Sequence, residues 1–457
     1  MNNLNFLVDV LKESPVFKTL EKNVKPGRTV CASGLSTINK SNIIYALCRL
    51  KGVTAFCLAS DEKEAQTLCN DLSCMGLRAY VYPVRDFNFL DFQSRSHEYE
   101  HARLKVLLKL INHECDVAIA CVDAAAQLTV PKNVLEQSVI EFEEGRELSL
   151  EKATKALTLL GYERFDAVEG SGQFSLRGGI LDYPVRCEFW GDEITDLSYF
   201  DIETQRRFKK ADKITLSPST EIVIEDRAAL ADKIEHKAKL LRSKNSAKAK
   251  EKLFSEAELI RSGAMIANAD KFINQIYDKP ESLFDYLDRN TLVFASEFTA
   301  IQERGKSMDF ISNETLMQGF EDGTLCRGFD RFALTFNECT EFLQSHGTIV
   351  LENFVHGSMP IKLSEIISFS TKQLSAWGGS YKQLKEDVDG LFTPESKGVI
   401  FAGTERAAKN LCDTFNADGI NAVYSEGADK ISKGELLVMQ GALSAGFEYP
   451  SQKFFAI

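Results

Sequence analysis

Short apolar runs alternate with longer amphipathic segments between Val30 and Cys121, and this alternation constrains the fold more than any other feature. The runs have strand length and the segments have helical spacing. The runs are Val30–Ala32, Val53–Leu58, Ala79–Tyr82 and Val117–Cys121, and the helical segments are Ser41–Leu50, Glu62–Met75 and Glu98–Asn112. Strand-helix alternation is typical of a parallel sheet covered by helices. The sequence therefore predicts an α/β lobe at the start of the chain.

The pattern changes near Pro131. A helical segment remains at Leu150–Leu160, but Phe165–Phe200 reads as short strands separated by glycines. Short strands with glycine turns predict an antiparallel sheet, so we expect an α+β domain inserted into the lobe. Alternation returns from about Leu374, which predicts a second small α/β domain.

Composition limits the class of protein. The chain has 457 residues, which favours three or four domains, and a formal net charge of -12. An acidic balance argues against phosphate-backbone binding by the chain as a whole. The 11 cysteines include no Cys-x-x-Cys pair and indicate reduced thiols. Neither a signal peptide nor a run of about 18 apolar residues is present, so we expect a cytoplasmic protein without a membrane span. The apolar end, Phe454–Ile457, suggests a piece of a longer protein.

The segment Gly34–Ser41 follows a predicted strand and opens a predicted helix, as a phosphate-binding loop does. It fits G-x-x-x-x-G-K-[ST] except that Asn39 replaces the second glycine, while Lys40 and Ser41 suit phosphate and magnesium. Hydrolysis also needs a carboxylate at a strand end, and no predicted strand ends in Asp-Glu. We expect a degenerate nucleotide loop without catalysis, with weak nucleotide binding left open.

Two further patterns resemble functional motifs but have simpler structural explanations. His97–His101 fits H-E-x-x-H, a zinc-hydrolase motif, but we interpret it as an exposed helix start and predict no metal. The cations between Lys233 and Lys252 are interspersed with acids, which favours a solvated helix face over a nucleic-acid patch.

The most informative stretch runs from Gly170 to Arg206. Strand alternation puts Arg186, Glu188 and Trp190 on one face. Arginine and tryptophan are the residue types that dominate protein interfaces. A core tryptophan beside a surface ion pair would give the same pattern, so the residues alone leave both readings open.

Residues 163–207 follow the pattern G-x-[FY]-x-x-R-G-x-x-[LI]-D-x-[FY]-P, then [YV]-R-x-[DE]-[FW]-[FW]-x-[DE]-E-I, then F-D-x-x-[ST]-Q-R. This resembles the UvrB-homology domain shared by the excision-repair protein UvrB and the transcription-repair coupling factors (Mfd). The degraded loop at Gly34–Ser41 favours the coupling factors. So does Val84–Ser96, which is too short for the damage-verification hairpin of UvrB.

The resemblance implies a fold and a division of the chain. It implies a degenerate helicase-like parallel-sheet lobe with an inserted antiparallel α+β UvrB-like domain, followed by a small α/β domain. The expected divisions are 1–128 for the first part of the lobe, 129–218 for the insertion, 219–368 for the rest of the lobe and 369–457 for the last domain.

The resemblance also implies a function. The chain would recruit UvrA without catalysis, and the UvrA-contacting residues of the family fall on Arg177, Arg186 and Trp190, where many relatives carry Phe at the last position. No cofactor is expected for this chain. ATP, magnesium, RNA polymerase and DNA would be bound by translocase and other domains of the parent protein that this chain lacks. The parent would use ATP to release stalled polymerase. Two alternatives remain: a UvrB-like nucleotide-dependent loader of DNA damage sites, and a DNA-binding module using the 233–252 cations.

Overall fold

The computed structural model describes residues 4–85, 98–170, 172–177, 180–182, 185–201, 203–242, 246–263, 269–354, 359–374, 377 and 379–457. The strands, in chain order, are β1 Val30–Ser33, β2 Ala55–Ala59, β3 Ala79–Val81, β4 Val117–Cys121, β5 Ile140–Glu143, β6 Glu163–Arg164, β7 Gln173–Arg177, β8 Ile180–Asp182, β9 Val185–Trp190, β10 Glu193–Phe200, β11 Arg207–Lys210, β12 Lys213–Leu216, β13 Leu292–Ser296, β14 Thr348–Leu351, β15 Glu365–Ser368, β16 Lys372–Leu374, β17 Lys397–Ala402, β18 Ala422–Ser425, β19 Glu435–Gln440, β20 Gly446–Tyr449 and β21 Phe454–Ala456.

The α-helices are α1 Asn5–Lys12, α2 Pro15–Asn23, α3 Thr37–Lys51, α4 Glu62–Cys74, α5 Glu98–Ile111, α6 Val122–Ala126, α7 Lys132–Gln137, α8 Leu150–Leu159, α9 Arg227–Leu240, α10 Ser246–Ser262, α11 Ile273–Ile276, α12 Phe298–Asp322, α13 Phe336–His346, α14 Tyr381–Leu391 and α15 Glu405–Ala417. None of the helices in the described ranges is long and apolar enough to cross a membrane.

The lobe is built on a parallel sheet with the strand order β15-β1-β14-β13-β2-β4-β3. Apolar cores cover both of its faces. A parallel sheet buried on both faces has continuously apolar strands, and this explains why Ala55–Ala59 and Val117–Cys121 are apolar and buried throughout. The predicted parallel α/β lobe is confirmed. Its strands come from both sides of the inserted region.

The inserted region has a sheet of strand order β11-β10-β9-β8-β7-β6, in which each pair from β7 to β11 is antiparallel. A small ladder of β5 and β12 lies beside it. Its core contains Phe142, Leu157 of α8, Phe174 and Leu197. The predicted antiparallel α+β character is therefore confirmed.

The last part of the chain forms a sheet of strand order β16-β20-β21-β17-β19-β18. One face packs with α14 and α15. The other face shares the first core of the lobe with α1 and α3, and the rings of Phe6 and Phe454 are 6.3 Å apart. This small α/β unit is thus joined to the lobe by a common core.

Helices α9 and α10 pack on each other through Leu230, Ile234, Leu253 and Ala257. Cations of α9 pair with acids or carbonyls nearby: Lys239 lies 3.8 Å from Glu235, one turn earlier, and Lys237 donates to the Gly328 carbonyl at 3.3 Å. Such pairs are typical of solvated helix faces, and they support that interpretation for the cations of α9.

Candidate docking surface and the phosphate-loop region

The phosphate-loop segment lies where its sequence predicts, between β1 and α3, but another segment of the chain covers it. Gly34 has φ +77°, and a Cβ there would stand 2.2 Å from the carbonyl oxygen of Phe369. The hydroxyl of Thr371 donates to the Gly34 carbonyl at 2.7 Å. Glycine is required here by the positive φ and by the close approach of a second backbone.

Two backbone N–H groups at the start of the loop are bonded to another segment of the chain. The Gly34 N–H donates to the carbonyl of Asn353 at 3.1 Å, and the Leu35 N–H donates to the carbonyl of Glu352 at 3.1 Å. A phosphate-binding loop uses such N–H groups to surround the anion. In this chain the two groups bind the residues that follow β14 instead.

Lys40 is similarly engaged inside the protein, with only 1% of its surface exposed. Its ammonium donates to Glu297 at 2.5 Å and to the Ser296 hydroxyl at 3.0 Å, and lies 3.6 Å from Glu64. In a nucleotide site this ammonium would contact phosphates. Here internal carboxylates provide its counter-charge.

Asn39 and Ser41 complete the predicted loop residues, and both are buried. Asn39 accepts a hydrogen bond from Ser36 at 2.6 Å. The Ser41 hydroxyl lies 3.3 Å from a carboxylate oxygen of Asp71, which also accepts from the backbone and the hydroxyl of Ser444. Burial raises the pKa of Asp71, and the bonds from Ser444 and Ser41 oppose that rise. The serine expected to face magnesium instead belongs to the contact between α3, α4 and the last sheet.

Two carboxylates at strand ends were not predicted from the sequence. Glu297 follows β13 and Glu352 follows β14, and both apolar runs with their trailing acid are visible in the sequence. Glu352 accepts from the Phe298 N–H at 2.8 Å. Burial raises the pKa of Glu352 to about 7, and the charge of Glu297 adds to the rise. Glu352 therefore holds a proton more readily than an ordinary glutamate, and a protonated acid is a poor magnesium ligand.

A buried ion network that the sequence did not reveal lies where the inserted region joins the lobe. Arg103 of α5 and Glu221, both fully buried, pair at 2.5 Å, and Thr129 donates to Glu221 at 2.7 Å. The guanidinium of Arg103 also stacks 4.1 Å from the ring centre of Tyr82. This network ties the exit of the inserted region to α5.

The H-E-x-x-H motif begins outside the described residues, at His97. Glu98 and Tyr99 are exposed, but Glu100 turns inward. It accepts from the Thr220 hydroxyl at 2.7 Å and from the Glu221 N–H at 2.6 Å. The interpretation as an exposed helix start is therefore wrong for Glu100. Among the described residues no cluster of His, Cys, Asp and Glu is arranged to hold a metal.

The candidate docking surface is the face of the inserted sheet that carries Arg186, Glu188 and Trp190 of β9. Val185 and Cys187 point the other way, into the core. Trp190 is 82% exposed, so it is a surface residue and the core reading is wrong. The Arg186 guanidinium lies 5.2 Å from the ring centre of the buried Phe200, which supports it from below.

Arg177, the third predicted contact, lies in β7, where its backbone pairs with Ile180. Its side chain is outside the described part of the structure. Arg207 of β11 was not predicted, yet its guanidinium contacts Glu188 and lies 2.9 Å from Asp196. Arg207 directly follows Arg206, on which the last letter of the quoted pattern falls.

Comparison with known families bears directly on this surface. Residues 140–222 match the family model described as the UvrB interaction domain. The candidate docking surface lies within this matched range. The resemblance inferred from residues 163–207 is thereby confirmed, and the matched range includes all of β5 to β12.

Curated relatives extend the similarity beyond the UvrB-interaction-domain match. The chain is 26% identical over 468 residues to a transcription-repair-coupling factor of Bacillus subtilis (strain 168), covering 98% of this chain and 39% of that protein. It is 25% identical over 404 residues to one of Staphylococcus epidermidis (strain RP62A), covering 83% and 33%. It is 21% identical over 471 residues to one of Staphylococcus aureus (strain MRSA252), covering 99% and 40%. The chain spans about two fifths or less of the length of these relatives.

Proposed function

We propose that this chain is a non-catalytic docking module that recruits UvrA through its UvrB-interaction-domain region, within a protein that couples transcription to nucleotide excision repair. The single observation that carries the proposal is the exposed Trp190, which shares a sheet face with Arg186 inside residues 140–222. Tryptophan and arginine are among the residue types most enriched at the centres of protein interfaces.

The phosphate-loop region supports the non-catalytic part of the proposal. The N–H groups of Gly34 and Leu35 and the side chains of Lys40 and Ser41 are bonded to other parts of the chain, and the backbone of Phe369 covers Gly34. A nucleotide would have to displace these contacts before binding. In this proposal the lobe supports the docking surface, needs no cofactor, and acts in the cytoplasm.

In this proposal, the ATP-dependent functions and the binding of DNA and RNA polymerase belong to regions that correspond to the unmatched part of the relatives. ATP, magnesium, DNA and RNA polymerase would be bound there. The relatives are named transcription-repair-coupling factors, which supports a link between transcription and repair. This chain would supply the link to excision repair.

Binding of the chain to purified UvrA tests the proposal. Arg186→Ala and Trp190→Ala should each weaken binding at least about 30-fold, because truncating an interface anchor costs about 2 kcal/mol or more. Phe310→Ala is the matched control, because Phe310 is also an exposed aromatic but lies on α12, in the lobe. If Arg186→Ala and Trp190→Ala both bind UvrA as tightly as the wild type does, the assignment of the surface is refuted. No binding by the wild type would refute the function.

A further inference from the structure

We propose that the end of the hairpin formed by α9 and α10 is a second binding surface, which makes a weak, sequence-independent contact with the phosphate backbone of double-stranded DNA. We name it the basic tip. It consists of Arg242, which follows α9, and of Lys248 and Lys250 near the start of α10. The inference goes beyond the proposed function, because it adds an accessory DNA contact on this chain to the DNA binding that the proposed function places elsewhere.

Charge is unevenly distributed along this hairpin. Residues 237–252 include seven cations and a single acid, Glu251. At the other end of the hairpin, Arg261 of α10 lies 2.8 Å from Asp232 and 2.8 Å from Glu235 of α9. The two helices are therefore antiparallel, with the end of α9 beside the start of α10. This brings the cation-rich ends of both helices together.

The cations of the basic tip are open to a partner from outside the chain. Arg242 and Lys248 are exposed and Lys250 is half-buried. Within the described ranges, none of the three forms a salt bridge. This holds also for the exposed acids Glu321 and Asp322, although the end of α12 lies beside Lys248. Pairing inside the described part of the chain therefore does not neutralise the tip.

Helix stability does not explain the lysines of the tip. Lys248 lies in the first turn of α10 and Lys250 just after it, and that turn contains no acid. Cations are unfavourable at the start of a helix, because the helix dipole places positive charge there. Lys237 and Lys239 are different, because they lie in the last turn of α9, where the dipole favours cations. We therefore leave these two lysines out of the basic tip.

The residue types favour a nucleic acid over a protein as the partner. Lysine is depleted at protein–protein interfaces, whereas lysine and arginine supply contacts to phosphates that do not read the base sequence. Lys248 and Lys250 are about 200° apart around α10, so they point to different sides of the helix. This arrangement does not enclose a small anion. It suits a broad, evenly charged surface such as duplex DNA, which carries one negative charge per about 1.7 Å of its axis.

The net charge of -12 does not prevent this contact. Screening limits the reach of exposed charges to about 8 Å at physiological ionic strength, so distant acids have little effect at the tip. Three phosphate contacts are few for a DNA-binding surface. We therefore expect a dissociation constant of about 0.1 mM at physiological salt, and tighter binding at low salt.

The experiment measures fluorescence anisotropy of a labelled DNA duplex of about 20 base pairs with the whole chain, without UvrA, from about 50 to about 200 mM salt. The triple variant Arg242→Ala, Lys248→Ala and Lys250→Ala should bind at least about tenfold more weakly at low salt. Its plot of log affinity against log salt should be shallower by about 2.7, because each phosphate contact contributes about 0.9 to the slope.

A matched control removes three other exposed cations through Lys12→Ala, Lys18→Ala and Lys430→Ala. It lowers the net charge equally and should change DNA affinity less than about twofold, because charges far from the tip are screened. An equal loss in both triple variants would overturn the inference. So would a wild type that does not bind the duplex at low salt, or one that binds single-stranded DNA or RNA more tightly than the duplex.

Two further measurements separate the basic tip from the docking surface. The tip variant should bind UvrA like the wild type, and Arg186→Ala should bind DNA like the wild type. If the tip variant loses UvrA binding and keeps DNA binding, the tip is a protein contact and the inference is wrong, whereas the proposed function stands. Should circular dichroism show that the tip variant is unfolded, the glutamine substitutions Arg242→Gln, Lys248→Gln and Lys250→Gln give the decision by the same criteria.

Discussion

Lys40→Met separates a structural lysine from a nucleotide-binding one. The substitution keeps the aliphatic chain and removes the ammonium that bonds to Glu297 and Ser296 and approaches Glu64. The carboxylates of Glu297 and Glu64 would then face each other in a partly buried site without a counter-charge. Removing one partner of a buried ion pair costs about 3–5 kcal/mol. The side chains of Glu297 and Glu64 remain 27% and 12% exposed, so we expect about 2–4 kcal/mol once water screening is included.

The measurement is urea unfolding of the wild type and the variant at neutral pH. The variant midpoint should fall without a change in slope, and Glu297→Gln added to Lys40→Met should recover part of the loss, since the two sites are in contact. A ligand stabilises a protein only if it binds the folded state. We expect no MgATP binding at the covered loop, so MgATP should not stabilise the wild type. The reasoning would be refuted if Lys40→Met were as stable as the wild type and if MgATP stabilised the wild type but not the variant. Lys40 would then be a nucleotide-binding residue and not a structural one.

Three further outcomes are expected. The folded protein raises the pKa of Glu352 from 4.5 to about 7, so the stability that its protonated form contributes is present below about pH 4.5 and is lost as the pH rises through about 7. The unfolding free energy of the wild type should therefore fall across this window. Urea titrations at several pH values should show that Glu352→Gln flattens the profile. Gly34→Ala should destabilise by about 2 kcal/mol or more through its positive φ and the Phe369 carbonyl, whereas Gly52→Ala, with positive φ but open space, should cost less in thermal unfolding. Trp190→Ala should change stability by less than about 0.5 kcal/mol while UvrA binding is lost, and a large drop in melting temperature would contradict its surface role.

The parallel lobe could be predicted because its strands are buried on both faces. Val117–Cys121 was predicted with its observed bounds, and the second strand was predicted within two residues of Ala55–Ala59. The strands β13, β14 and β15 were not predicted, although they lie among the central strands and at one edge of the same sheet. They are separated by long polar segments such as the 25-residue helix α12, so local strand-helix alternation was lost there.

The candidate docking surface was predicted in part, because strand alternation is visible in the sequence. Strand alternation placed Arg186 and Trp190 on one face, but whether that face is covered depends on packing that a local pattern does not contain. The state of the phosphate loop was still less accessible. Lys40 meets Ser296 256 residues further along the chain, and Gly34 meets Thr371 337 residues further along. The Asn39 substitution showed that the loop is altered and did not show what fills it.

The core shared by the lobe and the last sheet has a consequence for how the chain comes apart. Phe454 packs on Phe6 of α1, and Tyr449 bonds to Asn42 of α3 at 3.1 Å. A boundary near residue 369 therefore separates two patterns of sequence without separating two independent folding units. We expect a chain shortened at that boundary to expose the apolar side of α1 and α3 and to aggregate. The intact chain should lose these two regions in one cooperative melting step, because neither can open while the other keeps its packing.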